Sequence, residues 1–259
     1  MTRAVPSNLI KAPLFFHMLE SEAALINYLT YKIKHILAQA IEEKGVASLV
    51  LPGGETPRAL YRALNQVDIP WLKVHVFLSD ERWISVENED SNAYWIRKLL
   101  LQNRAANAHF FSFKTNDASP HEALTNLNEM MQHHTQPFDC VVLGMGLDGH
   151  VASLFPPSVT DCQAENKFDI QDEKGDFLDI VEAYSPVLPI HRVSLTLSRL
   201  KRSQHLAVLM KGREKWDNLQ GRLRDPLDEN HSAHSAHSAH SAIEALIKQY
   251  NPLHFYWAP

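Results

Sequence analysis

The chain has 259 residues, of which 45% are hydrophobic and 21% charged, a composition typical of a globular protein with a large buried core. Its formal net charge of −5 argues against general binding to nucleic acid, so an anionic ligand needs a locally positive pocket. No apolar run reaches the ~18 residues of a membrane span, and we expect no signal peptide. With only two cysteines, Cys140 and Cys162, we expect no disulfide framework and a cytoplasmic location.

Segments with helix-like and strand-like apolar spacing alternate along the chain. The predicted helices are 20–44, which ends at Gly45, and then 57–65, 92–103, 120–134, 213–222 and 242–249. The predicted strands are 49–51, 74–78, 138–143, 193–197, 206–210 and 253–257. This alternation predicts an α/β fold: one domain over residues 1–259, with a mostly parallel, twisted sheet and helices on both faces, as in Rossmann-like folds.

The loop after the predicted strand 138–143 carries the clearest chemical signal. Gly144 and Gly146 let the backbone approach a ligand closely, and His150 is a candidate general base. Asp148, two residues before the histidine, is a candidate to orient its ring. We also expect backbone N–H groups of residues 144–146 to stabilise an oxyanion. A plain turn is the alternative for this loop.

A second glycine loop, residues 52–57, joins the strand 49–51 to the next helix. Thr56 is predicted to cap that helix, and a proline follows it in the first turn. Free N–H groups at Gly53, Gly54 and the helix start predict a phosphate site. An ordinary strand-to-helix turn is the alternative, since the Walker and dinucleotide-binding patterns are absent.

Two further polar loops, 80–82 and 211–215, follow predicted strands. Because parallel strands end at one edge of a sheet, the four loops predict a single pocket suited to a small polyhydroxylated phosphate. Weak surface ion pairs are the alternative for the charged residues. Three tryptophans are predicted to pack against the protein rather than stack on a ligand: Trp71, Trp83 and Trp95.

Residues 231–242 repeat the triplet His-Ser-Ala. Histidines three apart can share a helix face and bind metal, but this tract has no carboxylate among its histidines. It follows a polar segment that contains a proline. We therefore expect a surface insertion that binds nickel or zinc at most weakly and whose removal changes activity little.

Several segments, in order, resemble the 6-phosphogluconolactonase family of the sugar-phosphate isomerase/deaminase-like (glucosamine-6-phosphate deaminase/isomerase-like) superfamily. The most specific is 143–156, Leu-Gly-Met-Gly-Leu-Asp-Gly-His-Val-Ala-Ser-Leu-Phe-Pro. The others are 52–57, 79–82, 91–92, 192–197 and 211–215. The chain departs from the family pattern at Glu55, where a small or basic residue is usual, and at the His-Ser-Ala tract.

The resemblance implies hydrolysis of 6-phospho-D-glucono-1,5-lactone to 6-phospho-D-gluconate, the second step of the oxidative pentose phosphate pathway, without a metal or an organic cofactor. It assigns His150 as the base that activates water, with Asp148 orienting it. The expected substrate-binding residues are Gly53, Gly54, Thr56, Asp80, Arg82, Asn92, Gly144, Gly146, Arg192 and Lys215. Ser153 lies in no G-x-S-x-G elbow, so we do not expect it to be a nucleophile.

The resemblance implies one partner, a small-molecule sugar-phosphate lactone. We expect no nucleic-acid or membrane partner, and a monomer or a weak homo-oligomer. A glucosamine-6-phosphate deaminase-like enzyme is an alternative, although residues 152–156 lack the carboxylate that deaminases carry shortly after the histidine. A non-catalytic sugar-phosphate sensor and a metal-binding protein acting through the His-Ser-Ala tract are two others.

Overall fold

The structure, a computed structural model, describes residues 13–156, 168, 170–171, 175–224 and 241–259, together with the backbone of a short strand at Thr2–Arg3. Cys162 and residues 231–240 of the His-Ser-Ala tract lie outside the described residues. The described helices are α1 (Glu22–Lys44), α2 (Thr56–Leu64), α3 (Asn92–Trp95), α4 (Pro120–Gln132), α5 (Leu197–Lys201), α6 (Arg213–Arg224) and α7 (Ala242–Gln249). The described strands are β1 (Thr2–Arg3), β2 (Leu14–Met18), β3 (Ala47–Leu51), β4 (Val74–Leu78), β5 (Asp80–Arg82), β6 (His109–Phe111), β7 (Phe138–Gly144), β8 (Ile180–Tyr184), β9 (His191–Leu195), β10 (Ser203–Lys211) and β11 (Leu253–Ala258).

Eight strands form the main sheet, in the order β1-β2-β11-β10-β7-β3-β4-β6. Every neighbouring pair is parallel except β1 with β2, so the predicted mostly parallel α/β sheet is confirmed. The chain runs outward from β3 through β4 to β6, then returns to pair β7 on the other side of β3. The strand order therefore reverses between β3 and β7, where open α/β sheets bind their ligands.

The central strands are apolar on both faces because helices cover the sheet. The first six residues of β7 are all buried, and the described core joins side chains from α1, α2, β3, β4 and β7. Helix α1 shows how the sequence selects this packing. Its buried residues Leu25, Leu29, Ile33 and Leu37 recur every four positions. The Ser21 side chain caps its start, and Gly45 ends it with a left-handed φ of 81°.

A second, three-stranded antiparallel sheet, in the order β5-β9-β8, lies beyond the carboxyl end of β4. Ser79 links the two sheets, since its N–H donates to Leu51 O (2.9 Å) and its carbonyl accepts from Leu195 N (2.9 Å). The sequence prediction of a main-sheet strand at 193–197 was therefore wrong in its sheet and its bounds. Alternating apolar residues define a strand but do not specify its partner.

Two helix predictions also need correction. The helix predicted over 92–103 is α-helical only to Trp95, because the next turn widens and Leu101 N donates to Ile96 O (3.0 Å). At α2, the N-cap is Glu55 rather than Thr56, and neither supplies a side-chain cap. Ser91 is the N-cap of α3, and its hydroxyl accepts from Tyr94 N.

The last two residues of the His-Ser-Ala tract are buried, contrary to the expected surface position. Ser241 is the N-cap of α7, and Glu244 completes a capping box with it. Both Ser241 and Ala242 have no exposed surface. A deletion that extends through these two residues would therefore remove a helix cap. That removal of residues 231–240 changes activity little stays a prediction.

Within the described residues, no helix combines the length and the apolar character needed to span a membrane.

Three histidines lie side by side on neighbouring strands and form the histidine cluster: His17 on β2, His254 on β11 and His205 on β10. The rings of His205 and His254 are 4.4 Å apart, and His17 Nε2 lies 3.1 Å from His254 Nδ1. Burial opposes the charged form and lowers the pKa of His254 to about 3 and that of His205 to about 4. Neighbouring histidines and Lys32 act in the same direction.

We predict that this cluster makes the fold acid-sensitive. In the unfolded chain these imidazoles bind a proton near pH 6.5, whereas in the folded protein they remain neutral to about pH 4. The free energy of unfolding is therefore highest above pH 6.5 and decreases as the pH falls toward 4. The loss is at most about 1.4 kcal/mol per pH unit for each histidine, and less where water reaches the ring. The measurement is urea unfolding at pH 7 and pH 5 for wild type and His254→Gln, with the exposed His35→Gln as the control. His254→Gln should lose less stability between the two pH values; a loss equal to that of wild type would contradict the prediction.

Candidate active site

A cleft of about 250 Å³ opens at the carboxyl edge of the main sheet, where the strand order reverses between β3 and β7. The loops after β3, β4, β7 and β10 contribute to its wall, as the sequence predicted. Its lining residues are Pro52, Gly53, Gly54, Ser79, Asp80, Arg82, Asn92, Gly144, Met145, Gly146, His150, Ala152, Arg192 and Lys215. The fold therefore brings together all predicted site residues except Thr56 and Asp148, and Asp148 contacts His150 from beside the cleft.

His150 and Asp148 form a close pair at this cleft. His150 Nδ1 lies 2.5 Å from Asp148 Oδ1, and the backbone N–H of His150 donates to the same oxygen (3.1 Å). An ionised carboxylate only accepts hydrogen bonds, so this contact places the ring proton on Nδ1. The lone pair of the neutral ring then lies on Nε2. The ring centroids of Phe155 and His150 lie 4.5 Å apart, so Phe155 limits the movement of the imidazole.

Gly146 makes this pairing possible. A Cβ atom at this position would lie 2.2 Å from His150 Cε1 and 2.6 Å from Asp148 Oδ1, closer than real contacts allow. The Gly146 N–H donates to His150 O (3.0 Å), which closes the loop. That hydrogen bond corrects one sequence expectation, since this N–H is already used and is not free to stabilise an oxyanion.

The glycine loop after β3 forms the opposite wall. A Cβ at Gly53 would lie 1.9 Å from the Asn92 side-chain oxygen, and Gly54 has a left-handed φ of 96°. Thr56 is the first residue of α2 and does not line the cleft. The Glu55 side chain is 90% exposed and lies near Arg58, so this departure from the family pattern does not place its carboxylate in the cleft.

Asp80 is the polar centre of the wall between these loops. It is buried and accepts hydrogen bonds from the hydroxyls of Ser79 (3.0 Å) and Ser153 (2.6 Å). The Asn92 amide donates to the Asp80 carbonyl (2.9 Å). Ser153 thus ties the loop after β7 to β5.

Glu81 holds Asn92 in place, a role that sequence reasoning missed. Its buried carboxylate accepts from the backbone N–H groups of Asn92 and Ala93, both at 2.8 Å, and from the Ser91 hydroxyl (3.0 Å). The pKa of Glu81 is raised, because the effect of burial exceeds that of these hydrogen bonds, which lower it. The sequence did contain a signal for this role. Ser91 and Asn92 lie at the start of a predicted helix, and a helix N-terminus favours a nearby carboxylate such as that of Glu81.

Three cations lie at the cleft. Arg82 on β5 is directly paired with Arg192 on β9, and Lys215 belongs to the first turn of α6. Burial and the neighbouring Arg82 lower the pKa of Arg192, and burial lowers the pKa of Lys215. The Nε atom of Arg82 is buried and, among the described residues, has no hydrogen-bond partner. Partly desolvated cations side by side favour an anionic ligand.

The tryptophans pack against the protein, as predicted. Trp71 is buried, Trp83 lies under Lys114, and Trp95 lies under Arg58 with the guanidinium 3.6 Å from its ring. None of the three lines the cleft. Among the described residues, no group of three or more His, Cys, Asp or Glu side chains has a geometry that could hold a metal ion.

Comparisons with known proteins agree with this geometry. Residues 20–245 match the model of a family described as glucosamine-6-phosphate isomerases/6-phosphogluconolactonase. A 6-phosphogluconolactonase of Rhizobium meliloti is 32% identical over 244 residues, covering 94% of this chain and 98% of that protein.

Solved structures show the same fold. A 6-phosphogluconolactonase from Shewanella baltica has a TM-score of 0.81 and 30% identity, covering 96% of this chain and 99% of that one. A monomeric glucosamine-6-phosphate deaminase shares the fold at 14% identity, with a TM-score of 0.71 and coverage of 94% and 96%. The chain therefore belongs to the glucosamine-6-phosphate isomerase/6-phosphogluconolactonase family.

Proposed function

We propose that the protein is a 6-phosphogluconolactonase, which hydrolyses 6-phospho-D-glucono-1,5-lactone to 6-phospho-D-gluconate in the pentose phosphate pathway. The observation that carries this proposal is the His150–Asp148 pair in the same cleft as Arg82, Arg192 and Lys215. A base beside three cations suits a substrate that joins a hydrolysable carbonyl to a phosphate dianion. The family relationship supports the same conclusion.

The chemistry needs one base that also returns its proton. Nε2 of His150 removes a proton from water as the water oxygen bonds to the lactone carbonyl carbon. The resulting tetrahedral oxyanion collapses and the bond to the ring oxygen breaks. The imidazolium then donates its proton to the departing ring oxygen, which becomes the product hydroxyl. Asp148 stabilises the imidazolium between these two steps, as the carboxylate does in serine hydrolases.

The cations and the glycine loops position the substrate. Arg82, Arg192 and Lys215 bind the phosphate and neighbouring hydroxyls through charge-assisted hydrogen bonds. Gly53, Gly54, Gly144 and Gly146 let backbone lie close to the sugar, and Asp80 and Asn92 offer oxygen and amide partners. We assign no substrate contact to Thr56, because it does not line the cleft.

The cytoplasmic location, the absence of a nucleic-acid partner, and a monomer or weak homo-oligomer all remain predictions from the sequence. The same holds for the absence of a cofactor.

The role of His150 is tested by His150→Asn and Asp148→Asn. Loss of a general base lowers kcat by about 10²- to 10⁴-fold, and we expect Asp148→Asn to cause a smaller loss because the ring remains. Lactone hydrolysis is followed against the spontaneous rate, with the exposed His121→Asn as the control. A folded His150→Asn protein with more than half of the wild-type kcat would remove His150 from the mechanism.

The phosphate contacts are tested by Arg82→Met and Lys215→Met. Each variant should raise KM for the phosphorylated lactone by about tenfold or more, because a charge-assisted hydrogen bond is lost. The comparison substrate is unphosphorylated glucono-δ-lactone, whose hydrolysis should change much less. Exposed Arg62→Met, on α2 but away from the cleft, serves as the matched control. Equal effects on both substrates would show that these residues do not bind the phosphate.

A base-catalysed route requires no metal, because a δ-lactone is an activated ester. We therefore expect turnover to be unchanged after prolonged dialysis against EDTA. Activity lost on dialysis and restored by a divalent cation would overturn this part of the proposal.

A further inference from the structure

Helices α6 and α7 contact the loop of residues 146–150 through Arg222 and Ile243, neither of which lines the cleft. Arg222 on α6 donates through Nη2 to Leu147 O (3.1 Å). From α7, the backbone N–H of Ile243 donates to Gly149 O (3.0 Å). Leu147 and Gly149 are the residues immediately before and after Asp148. The backbone on both sides of Asp148 is therefore held by hydrogen bonds from the two helices.

Arg222 is itself held in a defined position. Its Nη1 donates to Glu244 Oε1 (3.0 Å) and to Ser241 Oγ (3.1 Å), and its Nε donates to Asn218 Oδ1 (2.9 Å). The other Glu244 oxygen accepts from Ser241 N (3.0 Å) as part of the α7 capping box. The side chains of Arg222 and Glu244 are only 21% and 23% exposed, so this ion pair is partly shielded from water.

The loop has little freedom to move away from these contacts. Gly149 has a left-handed φ of 82°, and a Cβ there would lie 2.6 Å from Ser241 Oγ and 2.8 Å from Arg222 Cζ. The backbone of the loop is thus pressed directly against the Arg222–Ser241 contact. A shift of either helix would transfer to Asp148 through this contact.

We propose that Arg222, held by Glu244, is a positioning residue for the catalytic pair. This inference rests on the proposed function of His150 and Asp148. Arg222 does not line the cleft and acts through Leu147 O on the orientation of the Asp148 carboxylate. A base displaced by about 1 Å can lose up to about 10²-fold in rate even when substrate binding is preserved.

The kinetic test compares Arg222→Met, Arg222→Lys and Glu244→Leu with wild type. Methionine keeps the apolar stem and removes every donor, so kcat should fall about 10- to 100-fold. KM for the phosphorylated lactone should change less than about threefold, since the cleft cations are untouched. Lysine donates to only part of the acceptor set, so Arg222→Lys should recover part of the lost kcat. Glu244→Leu should reproduce the loss of Arg222→Met.

The matched control is Arg104→Met, which removes another arginine–carboxylate pair, that with Asp68, outside the cleft lining. It should leave kcat and KM unchanged. A purely structural role for Arg222 would lower the melting temperature of Arg222→Met without lowering kcat per folded molecule, and that result would overturn the proposal.

A second readout does not depend on the reaction. The His150 Nδ1 proton should give a downfield NMR signal, assigned by its disappearance in His150→Asn. In Arg222→Met the signal should be lost or shifted while the rest of the spectrum remains that of a folded protein. An unchanged signal in a folded Arg222→Met would contradict the positioning role even if the enzyme proved to have another substrate. If wild type hydrolysed no lactone while the signal responded as expected, the proposed function would fail and the positioning contact would stand.

Discussion

The pairing of β3 with β7 sets the position of the cleft. Leu49 is paired with Cys140 and Val50 with Val141, and all four side chains are fully buried, so neither strand can slip without exposing apolar side chains. Both strands end in glycine loops at the same edge. The loop after β3 continues into α2, and the loop after β7 contains His150. The strand order reverses between these two strands, and the cleft opens between their loops.

The three cations of this cleft are held by contacts that differ from those of the His150–Asp148 pair. The β5–β9 pairing sets Arg82 beside Arg192, a costly arrangement in the free protein that Asp80 and Glu81 partly offset by raising the pKa of Arg192. A phosphate dianion would complete that compensation. The His150 ring is held separately by Asp148 and by the close approach of Gly146, so a change in the cations need not disturb the imidazole.

The sequence predicted the elements whose signal is local. Short, mostly apolar runs located β4, β7, β10 and β11, because these strands are largely buried. Apolar residues three and four positions apart located α1, because that helix buries one face. The glycines, Asp148 and His150 were identified because their residue types suit chemistry at the ends of such strands. The predicted cleft lining followed from the parallel arrangement together with the family resemblance.

What the sequence did not reveal depends on contacts between distant residues. The sheet to which residues 191–195 belong is decided by pairing with β5, more than a hundred residues earlier. The use of the Gly146 N–H by His150 O depends on how the loop folds back on itself. Ser241 appeared to be one of four equivalent serines in a repeat, and only its packing against Gly149 and Arg222 distinguishes it.

A paired assay of the wild-type protein tests whether this cleft hydrolyses a phosphorylated lactone. The protein is given 6-phospho-D-glucono-1,5-lactone and, separately, glucosamine 6-phosphate, and the formation of acid and of ammonia is measured. We expect lactone opening far above the spontaneous rate and no release of ammonia. Ammonia release without accelerated lactone opening would identify a deaminase. Binding of either compound without turnover would identify a sensor, and either result would contradict lactone hydrolysis as the function of this cleft.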